Sequence, residues 1–145
     1  MLMIKLILLI ILIPNLAFAE SMNMIGEKGD PSEIDRIIEV KMYDNYYEPK
    51  EIKIKKNETI KFIVYNVGEL VHEFNIATKK MHLKHQAEMM KMVEREILFS
   101  DKIDKEKMKV MAKKDSSMAH SHSNSVLLEP NKKADLIWKF NTDAN

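Results

Sequence analysis

Short segments in which apolar and polar residues alternate flank a central stretch that lacks this pattern. The alternations cover residues 38–42, 52–54, 60–64, 72–76, 126–128 and 136–140. A period of two is typical of strands with one buried face, and turn residues such as Pro130 and Asn131 separate the segments. We therefore predict an all-β sandwich or small barrel, formed by a domain over residues 37–145.

The alternation disappears between residues 77 and 124, where Lys, Glu, Met and His predominate. Residues 81–99 contain no Gly or Pro and favour a helix, and residues 101–114 could form a second, polar helix. Residues 115–124 are rich in Ser and His and are typical of a loop. The central stretch is therefore predicted to be a helical and loop insertion into the sandwich.

The first nineteen residues have the pattern of an export signal. Lys5 precedes an apolar run, and Ala17-Phe18-Ala19 fits the small residues that signal peptidase accepts. A membrane anchor is the alternative, but a span needs about 20 apolar residues and this run is broken at Pro14-Asn15. We expect cleavage before Glu20, a periplasmic location, and a flexible lead-in over residues 20–36.

Composition excludes several classes of function. The chain has 23 Lys and Arg against 22 Asp and Glu, and Lys5 in the signal accounts for the single excess. A neutral chain gives no electrostatic reason to expect nucleic acid or an anionic membrane as partner. The absence of Cys excludes disulfides and thiolate metal sites. No phosphate-binding loop, serine elbow or zinc-protease motif is present, so we do not expect an enzyme.

Methionine and histidine are concentrated in the insertion. Seven of the 12 Met lie between Met81 and Met118, and four of the five His lie in or just after that segment. Thioether and imidazole together select Cu(I), and sites in which imidazole dominates bind Cu(II). This composition makes copper, as Cu(I) or Cu(II), the expected ligand.

Helical geometry divides the first predicted helix into two neighbouring faces. A step of about 100° per residue defines a Met/His stripe of His82, His85, Met89 and Met92. It also defines an aliphatic face of Leu83, Met90, Val93 and Ile97, which we expect to be the buried one. The Met/His stripe beside it is either a metal-contacting surface or a solvated or partly buried structural face.

Three further residues and one inward-pointing histidine are candidate ligands. His120 and His122 lie two residues apart with Met118 just before them, an arrangement that binds Cu(II) or Zn(II) or forms a solvated loop. His72 shares a strand face with Phe74, so its imidazole points inward. It is either a hydrogen-bonded core residue or a ligand.

Several of these segments together resemble the cupredoxins, the plastocyanin/azurin-like family of small copper proteins. The matching stretches are Tyr47-Glu48-Pro49, Ile60-Lys61-Phe62-Ile63-Val64-Tyr65-Asn66, Gly68 through His72-Glu73-Phe74-Asn75-Ile76, Val126-Leu127-Leu128-Glu129-Pro130 and Leu136-Ile137-Trp138-Lys139-Phe140. The most similar subgroup consists of exported copper-binding and copper-resistance proteins. Its members carry a Met/His-rich insertion after the His-Glu-Phe strand.

The resemblance implies a Greek-key sandwich with a type 1 copper site, in which His72 matches the first ligand. The family's other ligands are a Cys, a His and a Met in a final hairpin, but this chain has no Cys and stops at Asn145. It therefore lacks a complete type 1 site, and electron transfer is expected only if the hairpin is supplied. We favour a fragment lacking the last strand or strands over a complete chain that binds copper through the insertion alone.

The leading hypothesis is an exported copper-binding protein that serves copper tolerance, buffering or delivery. Its candidate ligands are His72, His82, His85, Met89, Met92, Met118, His120 and His122. Expected partners are the copper ion and a periplasmic copper-handling or redox protein. The alternative is an exported sandwich that acts as a metal-free interaction module, or an inactive gene fragment.

Overall fold

The computed structural model describes residues 25–144, so the predicted signal peptide lies outside the described residues. The elements in chain order are β1 (Gly26–Lys28), β2 (Arg36–Met42), β3 (Tyr47–Glu48), β4 (Thr59–Asn66), β5 (His72–Asn75), α1 (Lys79–Glu94), α2 (Lys105–Ala112), β6 (Ser125–Leu128) and β7 (Lys133–Phe140). Short 3-10 turns cover Pro31–Glu33 and Ser116–Ala119. Neither α-helix within this part of the chain is long and apolar enough to cross a membrane.

The strands form two sheets. One has five strands in the order β1-β7-β4-β2-β3, and the other consists of β5 and β6. The β2–β4 pair is parallel, and the other pairs are antiparallel. The predicted β-sandwich with a helical insertion is confirmed, since both α-helices lie between β5 and β6.

Alternating residues of the strands form the main core between the two sheets. On β4, Ile60, Phe62 and Val64 are at most 1% exposed, whereas the residues between them are half-buried. The Phe62 ring lies 5.2 Å from that of Phe74 on β5 and so connects the two sheets. This packing keeps the inner face of the small sheet dry and leaves its outer face for the insertion.

A buried asparagine joins the two sheets by hydrogen bonds. Asn66 ends β4, and its Nδ2 donates to the carbonyl of Leu70 at 2.7 Å and to that of Leu128, on β6, at 2.8 Å. Its Oδ1 accepts from the backbone N–H of Gly68 at 3.0 Å. Because every polar atom of this buried amide group has a partner, it fixes the turn that leads into β5 at little desolvation cost.

The insertion packs on the outer face of β5 and β6 through a second apolar cluster. The buried members are Met92, Ile97 and Met118, and Leu127 of β6 packs against them. The side chain of Thr78 accepts from the backbone N–H of Met81 and caps the start of α1. The helix is thereby held over the small sheet, beside residues whose side chains point away from the main core.

The structure corrects two predictions about the ends of the sandwich. Residues 26–28 were predicted to be flexible but form β1, because their backbone pairs with β7 from Trp138 to Phe140. The strand predicted over residues 52–54 is reduced to one bridge between Ile54 and Ala144. Ile54 is nevertheless buried in the core, so its apolar pattern reflects packing and not a ladder of strand hydrogen bonds.

The predicted burial of the aliphatic face of α1 is wrong for Leu83, Met90 and Val93, whereas Ile97, just beyond the end of the helix, is buried as expected. Leu83 and Met90 are each 57% exposed, and the buried residues of this helix are His85 and Met92. The physical reason is the contact between His85 and the carboxylate of Glu73 on the outer face of β5. This polar contact, together with the packing of Met92, turns the Met/His side of the helix toward the sheet.

Candidate metal centre

Three imidazoles meet at one end of the insertion, and we call His85, His120 and His122 the histidine trio. One potential ligand nitrogen from each residue lies within 4.8 Å of those of the other two. All three ring centroids are 5.2 Å apart, so the rings form an equilateral triangle. Among residues 25–144, this is the group of His, Cys, Asp and Glu side chains whose geometry could hold a metal ion.

Two different elements bring the trio together across the insertion. His85 lies on α1, whereas His120 and His122 lie in the loop before β6. Met118 anchors this loop in the second apolar cluster. Asn124 closes its other end, because its Nδ2 donates to Oδ1 of Asn75 at 3.1 Å and to the carbonyl of Ile76 at 2.9 Å.

The backbone of His120 adopts an unusual conformation at the centre of this loop. Its φ of 46° and ψ of 45° are in the left-handed region, which costs a residue other than Gly about 1–3 kcal/mol. Such strain persists only where surrounding contacts hold it, and it is concentrated at functional sites. The conformation ends the 3-10 turn, and the imidazole of His120 is only 5% exposed.

Two carboxylates contact the trio. Glu73 on β5 places Oε2 2.8 Å from Nε2 of His85 and Oε1 3.2 Å from Nε2 of His120. Glu88 on α1 places Oε2 3.3 Å from Nδ1 of His85 and 3.5 Å from Nε2 of His122. Each ring of the trio therefore has a carboxylate oxygen within 3.5 Å of one of its nitrogens.

Burial and charge shift the pKa values of two of these groups. Burial raises the pKa of the Glu73 carboxyl, but the adjacent imidazoles of His120 and His85 outweigh this effect and hold the pKa below its usual value. Burial also lowers the pKa of His122 from 6.5, and the neighbouring His120 and His85 lower it further. His122 therefore stays neutral at a lower pH than an exposed histidine, and the neutral form is the one that binds metals.

The spacing of the trio fits a first-row transition metal. Two nitrogens that bind one ion at about 2.0–2.1 Å with a tetrahedral angle lie roughly 3.3–3.4 Å apart. The Nε2 atoms of His85 and His120 are 3.4 Å apart. His122 is 37% exposed and borders a cavity of about 300 Å³, which provides a route from solvent. Nitrogen and carboxylate donors of this kind suit Cu(II) and Zn(II).

His72, the residue matched to the type 1 ligand, lies apart from the trio. Successive residues of a strand point to opposite faces, so His72 and Glu73 project from opposite sides of β5. The Nε2 of His72 is 2.8 Å from Oδ1 of Asp44, and Tyr47 packs edge-on against the ring. The imidazole therefore has a polar partner on the inner side of the sheet.

We predict that Asp44→Asn weakens the acid dependence of stability. The contact with His72 and the backbone N–H groups of Glu69 and Leu70 lower the pKa of the Asp44 carboxyl. The stabilisation is therefore fully present above the ordinary pKa near 3.8 and is lost as the pH falls through the lower folded-state value. Urea unfolding midpoints between pH 7 and pH 2 should fall less steeply in the variant. An unchanged slope would contradict the prediction.

The remaining candidate ligands lie in different surroundings. Met92 and Met118 are fully buried in the second apolar cluster, and the half-buried Met89 packs against it. His82 is exposed on α1, where its Nε2 lies 3.4 Å from the side-chain nitrogen of Gln86. Of the five predicted histidines, the structure thus brings three together in the trio and leaves His72 and His82 outside it.

Sequence reasoning missed the two carboxylates. Glu73 alternates with the inward-pointing His72 and Phe74, so strand period alone placed its side chain on the outer face. Glu88 follows His85 by three residues, a spacing that puts both side chains on one side of a helix. The strand alternation and the helical spacing were both present in the sequence. Neither could be connected to the histidines, because the position of the insertion on the sheet was not predicted.

Comparisons with known proteins point to a single group. A family model described as a cupredoxin-like domain matches residues 6–103. The copper-resistant cuproprotein CopI of Pseudomonas aeruginosa is 36% identical over 129 residues, which cover 79% of this chain and 67% of that protein.

Two more proteins with the same name are more distant. The protein from Vibrio cholerae is 24% identical and matched over 61% of its length, and the one from Rubrivivax gelatinosus is 23% identical and matched over 56%. The chain thus spans between about half and two thirds of the length of these relatives. No solved structure matches it.

Proposed function

Because the chain belongs to the cupredoxin-like domain family, we propose that it is an exported copper-binding protein that contributes to copper tolerance by buffering or delivering the ion. The observation that carries this proposal is the histidine trio, whose rings form a triangle with 5.2 Å sides. The names of the relatives support copper as the ion. The export signal predicted over residues 1–19 supports a location outside the cytoplasm.

We propose that this chain binds copper without type 1 chemistry. A blue copper site requires a thiolate, and the sequence contains no Cys. The trio supplies nitrogen donors in place of sulfur, and no reaction follows from it. A periplasmic copper-handling protein that exchanges the ion through the exposed side of His122 is the partner that suits this role.

The proposal predicts that copper binding depends on the trio. His85→Ala and His120→Ala should each reduce Cu(II) affinity strongly, because they remove the two most buried nitrogen donors. His82→Ala is the matched control, since it removes an exposed imidazole from the same helix. Competition titration against a chelator measures the affinities, and the Trp138 emission checks that each variant is folded.

Two outcomes would contradict the proposal. If the unmodified chain binds no copper under these conditions, the metal-free interaction module becomes the better account. If His82→Ala loses as much affinity as His85→Ala, binding is spread over surface histidines and the trio has no special role. A growth assay in copper-containing medium then tests whether loss of binding in vitro is accompanied by loss of tolerance.

A further inference from the structure

We infer that the histidine trio selects the divalent ion Cu(II) over Cu(I), and that Glu73 and Glu88 are the residues that determine this choice. The inference rests on the proposed function, because it concerns the same site.

The charge of the pocket matches a divalent ion. Metal-bound imidazoles are neutral, so the formal charge beside the trio comes from the carboxylates of Glu73 and Glu88. Both carboxylates are partly withdrawn from water, with side-chain exposures of 14% and 27%. Cu(II) neutralises both of them, whereas Cu(I) leaves one negative charge in a poorly hydrated position, which is costly.

Lys84 also borders this cavity, and its side chain is exposed. The carboxylates instead contact the ring nitrogens themselves, at distances of 2.8–3.5 Å. Their charges therefore act at the position where the ion would be bound.

Two of the soft donors that would favour Cu(I) are held in apolar packing. Met92 and Met118 are fully buried in the second apolar cluster, where their side chains fill space as aliphatic side chains would. Met81 is half-buried and borders the cavity beside His85 and His122. The carboxylates of Glu73 and Glu88 lie 2.8–3.5 Å from ring nitrogens of the trio, so nitrogen and oxygen donors meet at the site, and this combination favours Cu(II).

Among divalent ions, the donor set places Cu(II) first. Affinity for sites with nitrogen and oxygen ligands rises along the first-row series to Cu(II) and falls again at Zn(II). We therefore expect Zn(II) to bind at the trio and to be displaced by Cu(II). The reverse order of affinities would overturn the assignment of copper to this site.

The test compares the affinities for the two copper ions in four variants. Cu(II) and Cu(I) affinities of the purified chain are measured by competition with chelators specific for each ion, the Cu(I) titration under anaerobic reducing conditions. The variants are Glu73→Gln, Glu88→Gln, Met81→Leu and the control Glu94→Gln, an exposed carboxylate on the same helix. Electron paramagnetic resonance of the Cu(II) form reports whether nitrogen ligands are bound.

We expect Glu73→Gln and Glu88→Gln each to lower Cu(II) affinity by roughly 10–100-fold, the range for groups that support metal ligands. The Cu(I) affinity should change less, so the ratio of the two affinities should fall. Glu94→Gln and Met81→Leu should leave the ratio unchanged. Because Glu88 is more exposed than Glu73, its variant keeps the test decisive even where Glu73→Gln disturbs folding.

The failure of this inference is distinguishable from the failure of the proposed function. If copper binds through the trio but Cu(I) is preferred, or both glutamine variants change the two affinities equally, only the selectivity inference is overturned. A large loss in Met81→Leu would likewise refute the nitrogen and oxygen donor set. If His85→Ala leaves both affinities unchanged, the proposed function itself fails.

Discussion

Phe62→Ala is expected to lower the free energy of unfolding by about 3–5 kcal/mol, the range for large-to-small changes at buried aromatic positions. Phe62 is 1% exposed, and its ring packs against Phe74 at 5.2 Å and Phe140 at 6.4 Å. Truncation leaves a cavity between the two sheets and removes a contact that joins β4 to β5. The change should therefore weaken the support of Glu73 as well as the core.

Urea unfolding followed by the fluorescence of Trp138, the one tryptophan of the chain, measures this effect. Phe99→Ala is the matched control, because Phe99 is 39% exposed and has Lys102 above its ring at 5.1 Å. An exposed cation–π contact contributes about 0.5–1 kcal/mol. If the two variants unfold at the same urea concentration, Phe62 does not have the structural role described above.

Met118→Ala is expected to cost about 2–5 kcal/mol in the stability of the insertion and to reduce copper affinity at the same time. Met118 is fully buried against Met92 and Ile97, and it immediately precedes the segment that carries His120 and His122. Loss of its side chain frees the loop from the sheet. The trio must then be assembled during binding, so part of the binding energy is spent on ordering the loop.

Met118→Leu separates packing from ligation. A volume-conserving change in a core costs less than about 1.5 kcal/mol, so the loop should keep its position. Copper affinity should then be retained, because the trio and its carboxylates are unchanged. If Met118→Leu loses copper as severely as Met118→Ala, the thioether of Met118 is itself a ligand, as the sequence pattern had suggested.

The strands of the sandwich were predictable because burial imposes a period of two on them. The alternation at residues 60–64 corresponds to the buried side of β4, where Ile60, Phe62 and Val64 face the core. The edge strand β1 was not predictable from pattern, since Gly26–Lys28 contains no aliphatic residue. It is held by backbone pairing with β7, and such pairing does not require particular side chains in the strand.

The candidate metal centre was only partly predictable for a similar reason. Enrichment in His pointed to the segments that contribute the trio, but the face of α1 that is buried depended on a polar contact with Glu73, 12 positions away in the chain. Hydrophobicity alone therefore favoured Leu83 and Met90 as buried residues, and both are exposed. The periodicity of a helix predicts which residues share a face, but it does not predict a charge pair with a residue on another element.

His85 and His120 are 35 positions apart in the sequence, so metal binding by both has a mechanical consequence. An ion held by both residues would act as a removable cross-link, with the second α-helix enclosed in the ring it closes. Because the ligands are in place only when the insertion is folded, ion binding favours the folded form by mass action and so opposes opening of the ring. The amount of bound metal would then set how readily a protease can cut the segment between the two histidines.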